Sequence, residues 1–169
     1  MKPPPALGQR NLIGAAVVGA ALTLLAPTAL WPPWQIYQST VRPEHVVPPR
    51  QTGSAIGQSW SVGEIRHLAG SPAPSAPPLP AGTVLEVVTV QRSGTVAENP
   101  GCMSVLTDGK RRWRGEPLST YAIPAAAGSG FNCTKPGPLQ WAFLLPGDAV
   151  PTALDVTTLG GEILVRLQL

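Results

Sequence analysis

Apolar residues run almost without interruption from Leu12 to Trp31, and no Asp, Glu, Lys or Arg occurs between Asn11 and Val41. A helix of about 20 residues crosses the ~30 Å hydrocarbon core of a bilayer, so the pattern predicts a transmembrane helix over residues 12–31. Trp31, Trp34 and Tyr37 follow as an interfacial belt, and Pro32 and Pro33 predict that the helix stops there. Lys2 and Arg10 precede the run, whereas Arg42 alone follows it closely. That bias favours a cytoplasmic N-terminus over residues 1–11. A cleaved signal peptide is the rival reading. It accounts for Lys2, Arg10 and the alanines, but the run is longer than the roughly 7–15 residues of a signal core, and Pro27 spoils the small-x-small pattern before a cut after Ala29.

Beyond the apolar run the pattern changes. Residues 32–56 are Pro-rich and sparsely apolar, which predicts an extended stalk over 32–42 and a short edge strand at His45–Val47. Further along, a two-residue alternation takes over. Trp60 and Val62 alternate with polar neighbours, and Gly63 predicts a bulge before Ile65. Thr83 to Arg92 carries β-branched residues on both faces, as a strand near the middle of a sandwich does. Cys102–Thr107, Asp108-Gly109 and Lys110–Arg114 read as a hairpin with a two-residue turn. Leu139, Trp141, Phe143 and Leu145 line one face of another strand. Ala149–Val156 is a weaker one, interrupted by Pro151, and Ile163 to Leu169 alternates to the last residue. Gly70–Gly82 and 115–132 read as exposed loops. About seven short strands over 43–169, with turn signals between them, predict an all-β, antiparallel sandwich.

Composition narrows the function classes. With 21 Pro and 18 Gly in 169 residues the chain is no long α-helical protein, and it is too short for separate cofactor and substrate domains. Lys2 and Arg10 account for most of the net charge of +3, so the part beyond the apolar run is nearly neutral. A sequence pI near 9.2 therefore points to no nucleic-acid partner, which needs a basic face on the folded domain. Cys102 and Cys133 form an even pair in a small domain that lies in an oxidising exterior if the N-terminus is inside. Their bridge would close a loop of about 32 residues and stabilise the fold by roughly 3–4 kcal/mol; two buried free thiols are the alternative. No second Cys stands near either one, and His45 and His67 are distant in sequence, so no metal site is expected.

The order of landmarks carries a resemblance. His45-Val46-Val47-Pro48 is followed by Trp60-Ser61-Val62 with Ile65, and then by Leu79-Pro80-Ala81-Gly82-Thr83 leading into a Val-rich strand. Cys102 opens a strand ending in Asp108-Gly109, Arg112-Trp113 comes next, and Cys133 precedes a strand with Phe143 and Leu145-Pro146-Gly147-Asp148-Ala149-Val150. Over residues 43–169 this order resembles actinobacterial single-pass membrane proteins whose outer domain is an immunoglobulin-like β-sandwich, similar to small secreted immunoglobulin-like antigens. The resemblance implies that fold, exposed outside the membrane, and no activity.

Candidate chemistry is sparse. Lys110, Arg112 and Arg114 surround Trp113 and form a possible anionic-ligand patch; strand alternation explains every one of them without a ligand, as solvated cations with Trp113 turned to the core, and is the preferred reading. There is no Gly-x-Ser-x-Gly elbow, no phosphate-binding Gly-rich loop and no His-Glu-x-x-His, and His45 and His67 are not expected to be catalytic. Asn132-Cys133-Thr134 has the form of a glycosylation acceptor around a Cys needed elsewhere. The reading is a non-enzymatic, cofactor-free binding or scaffolding module of the bacterial cell envelope, held in the lipid bilayer by residues 12–31. Its expected partner is an envelope protein or wall polymer. An envelope hydrolase or transferase, and an accessory subunit of a membrane complex, are the alternatives.

Overall fold

The computed structural model describes residues 7–70, 76, 78–94, 101–134 and 137–169. Residues 1–39 form one unit and residues 40–169 another. The described residues of the first lie in one helix, α1 (Leu7–Val41), which ends two residues into the second; its stretch Gly14–Val41 is long and apolar enough to cross a membrane and is not buried. Two threonine hydroxyls inside its apolar stretch are satisfied within the helix. The Thr23 hydroxyl donates to the carbonyls of Gly19 and Ala20, and Thr28 to those of Leu24 and Leu25. Such back-bonding removes the cost of a bare hydroxyl in an apolar surrounding. The helix does not stop at Trp31. It continues through Pro32 and Pro33 to Val41, replacing the extended stalk expected over 32–41. Proline ring geometry fixes φ near the helical value, so each proline forfeits a hydrogen bond without forcing an extended backbone.

The second unit is a β-sandwich of nine strands. In chain order they are β1 (Val46–Val47), β2 (Gly53–Ala55), β3 (Gln58–Leu68), β4 (Thr83–Gly94), β5 (Cys102–Thr107), β6 (Arg112–Arg114), β7 (Leu139–Pro146), β8 (Ala153–Thr158) and β9 (Ile163–Gln168). One sheet has the order β1-β9-β8-β5-β6 and the other β2-β3-β4-β7. All pairings are antiparallel except β1 with β9. Period-two alternation sends Trp60, Val88, Val90, Trp141 and Phe143 from the four-stranded sheet against Leu106, Leu154, Val156, Val165 and Leu167 from the other, forming the main core. The bulge expected at Gly63 is present, as a register shift between Val62 and Ile65. Several strand ends shift by one or more residues, and the nine strands exceed the seven or so expected. β8 begins at Ala153, because Pro151 has no N–H for the ladder, and β2 was not foreseen in a three-residue segment.

β4 is buried on both faces for a reason outside the two-sheet core. Residues 115–132 are not a free loop. They fold over the outer face of the four-stranded sheet, where a 3₁₀ turn (Leu118–Tyr121) brings Leu118, with Ile123, onto Leu85, Val87 and Ala142. Backbone bonds hold this cover: Glu116 N–H donates to the Ala142 carbonyl at 2.8 Å, and Gln140 N–H to the Gly130 carbonyl at 2.7 Å. Gln140 bridges further, donating to Thr89 Oγ1 at 2.8 Å and accepting from Ala126 N–H at 2.8 Å. Residues 71–75 and 77 of the expected 70–82 loop lie outside the described residues.

Gly115, where the chain leaves β6 for this cover, passes too close to its neighbours for a side chain. A Cβ there would meet Ser104 Oγ and stand 3.1 Å from the Phe143 ring. Gly115→Ala is expected to cost about 1–3 kcal/mol through forced displacement in a packed core. Urea unfolding followed by near-ultraviolet circular dichroism measures it, and a loss below a few tenths of a kcal/mol contradicts the close approach.

Candidate functional site

The β5–β6 connection is a four-residue loop, not the two-residue Asp-Gly turn expected, since Thr107 pairs with Arg112. Asp108 organises it. Its Oδ1 accepts the N–H groups of Lys110 and Arg111 at 2.9 and 2.6 Å, and its Oδ2 accepts Arg111 Nε–H at 2.8 Å. Those bonds, the Arg111 backbone N–H first, hold the Asp108 carboxyl at about 2. Gly109 supplies the positive φ of 90° that the loop needs. Arg111 reaches Asp148 as well, at 3.4 Å, and lies 5.2 Å over the ring of Trp113, which packs against the core as expected.

β6 alternation then sends Arg112 to the outer face of the five-stranded sheet. The register places Asp155 of β8 directly beside Arg166 of β9. Asp155 has no solvent exposure, yet it faces outward, covered by two guanidinium groups. Arg166 donates from Nε to Oδ1 at 2.6 Å and from Nη2 to Oδ2 at 2.8 Å, a two-pronged fork. Arg112 Nη2 approaches the same carboxylate at 3.5 Å. The bond to Asp155 pushes the Arg166 pKa further up, so its charge is permanent. With Lys110, Thr107, Gly109, Thr152 and Gln168 these arginines line a groove of about 450 Å³.

The sequence patch is thereby divided. Lys110 and Arg112 belong to the groove, and Arg114 does not. Arg114 Nη2 lies 3.0 Å from Met103 Sδ and lines a separate, more apolar hollow of about 380 Å³ with Phe131, Asn132, Trp141 and Leu159. Asp155 and Arg166 were not singled out from the sequence. A signal existed: opposite charges equidistant from the Gly160-Gly161 turn become cross-strand neighbours once the last hairpin is registered.

Cys102 and Cys133 are disulfide-bonded, with Cα atoms 5.2 Å apart. The bridge joins β5 to the end of the cover segment, beside Trp141, whose Nε1–H donates to the Phe131 carbonyl at 2.8 Å. Arg92, buried, lies 5.6 Å over the Trp60 ring and donates from Nη1 to the Cys133 carbonyl at 3.4 Å. Burial lowers its pKa. Asn132 Oδ1 accepts the Thr134 hydroxyl. His45 precedes β1 in one sheet and His67 lies on β3 in the other. Among the described residues, no group of three His, Cys, Asp or Glu side chains is placed to hold a metal ion.

His67 Nδ1 contacts Glu86 Oε2 at 3.2 Å. Glu86 is buried, and desolvation raises its pKa against the opposing pull of His67. A raised carboxylate pKa favours the protonated native state, so this residue's contribution declines as pH rises from the unfolded value, near 4.5, through the folded value. Glu86→Gln is expected to be more stable than the wild type at pH 7–8 and to converge with it below about pH 4. Denaturation midpoints across that range test this; a pH-independent gap contradicts it.

No family model and no curated protein matches the chain. Among solved structures, the chain is similar to one described as an uncharacterized beta-sandwich protein from Clostridium difficile, at 11% identity and a TM-score of 0.39. The match covers 76% of this chain and 95% of that one.

Proposed function

We propose that the chain is a single-pass membrane protein whose sandwich is displayed outside the cytoplasm and works by binding, without catalysis, in the bacterial cell envelope. The observation that carries the reading is the unburied apolar helix Gly14–Val41, nearly all of which lies in a unit (residues 1–39) separate from the one that holds the sandwich (residues 40–169). Such a helix is stable where its side chains meet lipid. The disulfide supports an oxidising exterior, and Lys2 and Arg10 support a cytoplasmic N-terminus. The sandwich belongs, in this reading, to the immunoglobulin-like kind found in the actinobacterial proteins that the landmark order resembles. Its strand order supports this: β1 lies parallel to β9 at one sheet edge, consecutive strands switch sheets between β4 and β5, and β7 returns to pair with β4.

Topology tests the proposal. With a tag at each end, protease added to intact spheroplasts should remove the C-terminal tag and spare the N-terminal one, while untreated cells show both tags on one polypeptide. A protected C-terminal tag overturns the orientation, and separation of the tags before protease treatment overturns the anchor.

A further inference from the structure

We propose that the groove on the outer face of the five-stranded sheet binds a phosphate ester, a phosphoryl group carried on a small hydroxylated moiety such as glycerol or a sugar. The assignment deepens the binding reading above by naming the ligand chemistry. Three cations converge on one concavity from separate parts of the chain: Lys110 from the β5–β6 loop, Arg112 from β6 and Arg166 from β9. Convergence from one edge and the far side of a sheet is not a consequence of strand alternation, which only turns each residue outward.

Asp155 is the positioning residue. It holds Arg166 through two bonds and Arg112 through a longer one. A guanidinium has five N–H donors. Arg166 commits two and Arg112 one to this carboxylate, so both guanidinium groups arrive already oriented with donors to spare, and ordering them costs a ligand little entropy. One carboxylate under three cations leaves two positive charges in excess, matching a phosphate monoester dianion. The nearby carboxylates Asp108 and Asp148 are engaged by Arg111 on the loop. At about 450 Å³ the groove is much larger than a phosphate ion and falls among small-molecule sites. Its lining, as described, contains no aromatic ring to stack a base. The side-chain amide of Gln168, which both donates and accepts, suits hydroxyl groups instead, hence the glycerol or sugar ester.

The test uses the full-length protein in a neutral maltoside detergent at low ionic strength. Calorimetric titration with inorganic phosphate and with glycerol 3-phosphate should give saturable binding, tighter for the ester. Lys110→Gln and Arg112→Gln should each weaken it roughly tenfold, the worth of one charge-assisted hydrogen bond. Arg114→Gln, in the other hollow, should leave it unchanged. Lys110 makes no contact with Asp155, so its variant tests the site without disturbing the fold. Absence of saturable binding up to about 10 mM overturns the proposal, as does an equal loss in Arg112→Gln and Arg114→Gln, which marks a diffuse field. The ester's source is read in lipid nanodiscs. A lower apparent affinity for glycerol 3-phosphate in phosphatidylglycerol discs than in oleate discs of equal charge assigns a lipid headgroup, and equal affinities assign a soluble or polymer-borne ester. Binding is measured on purified protein, so its failure leaves the anchor and orientation standing, and failure of the topology leaves the groove standing.

Discussion

Asp155→Ala should cost the sandwich about 3 kcal/mol, the lower end of the range for breaking a buried ion pair by removing one partner. The side chain has no exposure, and its loss leaves Arg166, 28% exposed, and Arg112, 46% exposed, without their common counter-charge. The partial exposure sets the estimate at the lower end, because both guanidiniums can turn to water. Asp155 also sits in the centre of its sheet, with Val105 of β5 on one side and Arg166 of β9 on the other. Replacing both members, as in Asp155→Val with Arg166→Val, should recover most of the stability, since an apolar pair avoids the desolvation of charge. Urea unfolding of the full-length protein in detergent measures both variants against the wild type. A single variant within 0.5 kcal/mol of wild type, on the order of a surface change, contradicts the picture of a buried carboxylate holding two arginines.

The same ion pair shows where sequence patterning reaches its limit. Alternation is a property of one strand, and it correctly turned Trp113 inward, bulged β3 at Gly63 and made β4 a central strand. Which residues meet across strands depends on register, and Asp155 with Arg166 becomes a site only through the β8–β9 pairing. The residues grouped as neighbours in sequence, Lys110, Arg112 and Arg114, are therefore divided in space: Arg112 and Arg114 share a strand face but line different hollows. The cover over β4 was unreadable for a related cause. Leu118 and Ile123 stand in an Ala-, Pro- and Gly-rich segment with neither strand nor helix periodicity, and only their docking on Leu85 and Val87 makes them core. The burial of β4 on both faces was legible, whereas the element supplying the second face was not. Pro32 and Pro33 misled in the opposite direction, because their cost in a helix is finite and the surrounding turns sustain it.

Removing the disulfide is the second large effect expected. Cys102 and Cys133 are 31 residues apart, and freeing that loop in the unfolded chain should lower stability by about 3–4 kcal/mol in the chain-entropy treatment. For a sandwich of this size the midpoint of thermal unfolding should fall by roughly 10–15 °C. The native fold should nevertheless persist at 25 °C in the Cys102→Ser, Cys133→Ser double variant. Residues 131–133 are fastened to the four-stranded sheet independently of the sulfurs, by Trp141 Nε1–H to the Phe131 carbonyl and by Arg92 to the Cys133 carbonyl. Near-ultraviolet dichroism should therefore keep its tryptophan signature while the transition moves down. Chemical reduction of the wild type should reproduce the variant's midpoint, which separates the cross-link from any effect of the serines. If the signature is lost at 25 °C, the bridge and not the Trp141 and Arg92 bonds places this segment; if the midpoint does not move, the closed loop is already ordered in the unfolded chain and the entropic account fails.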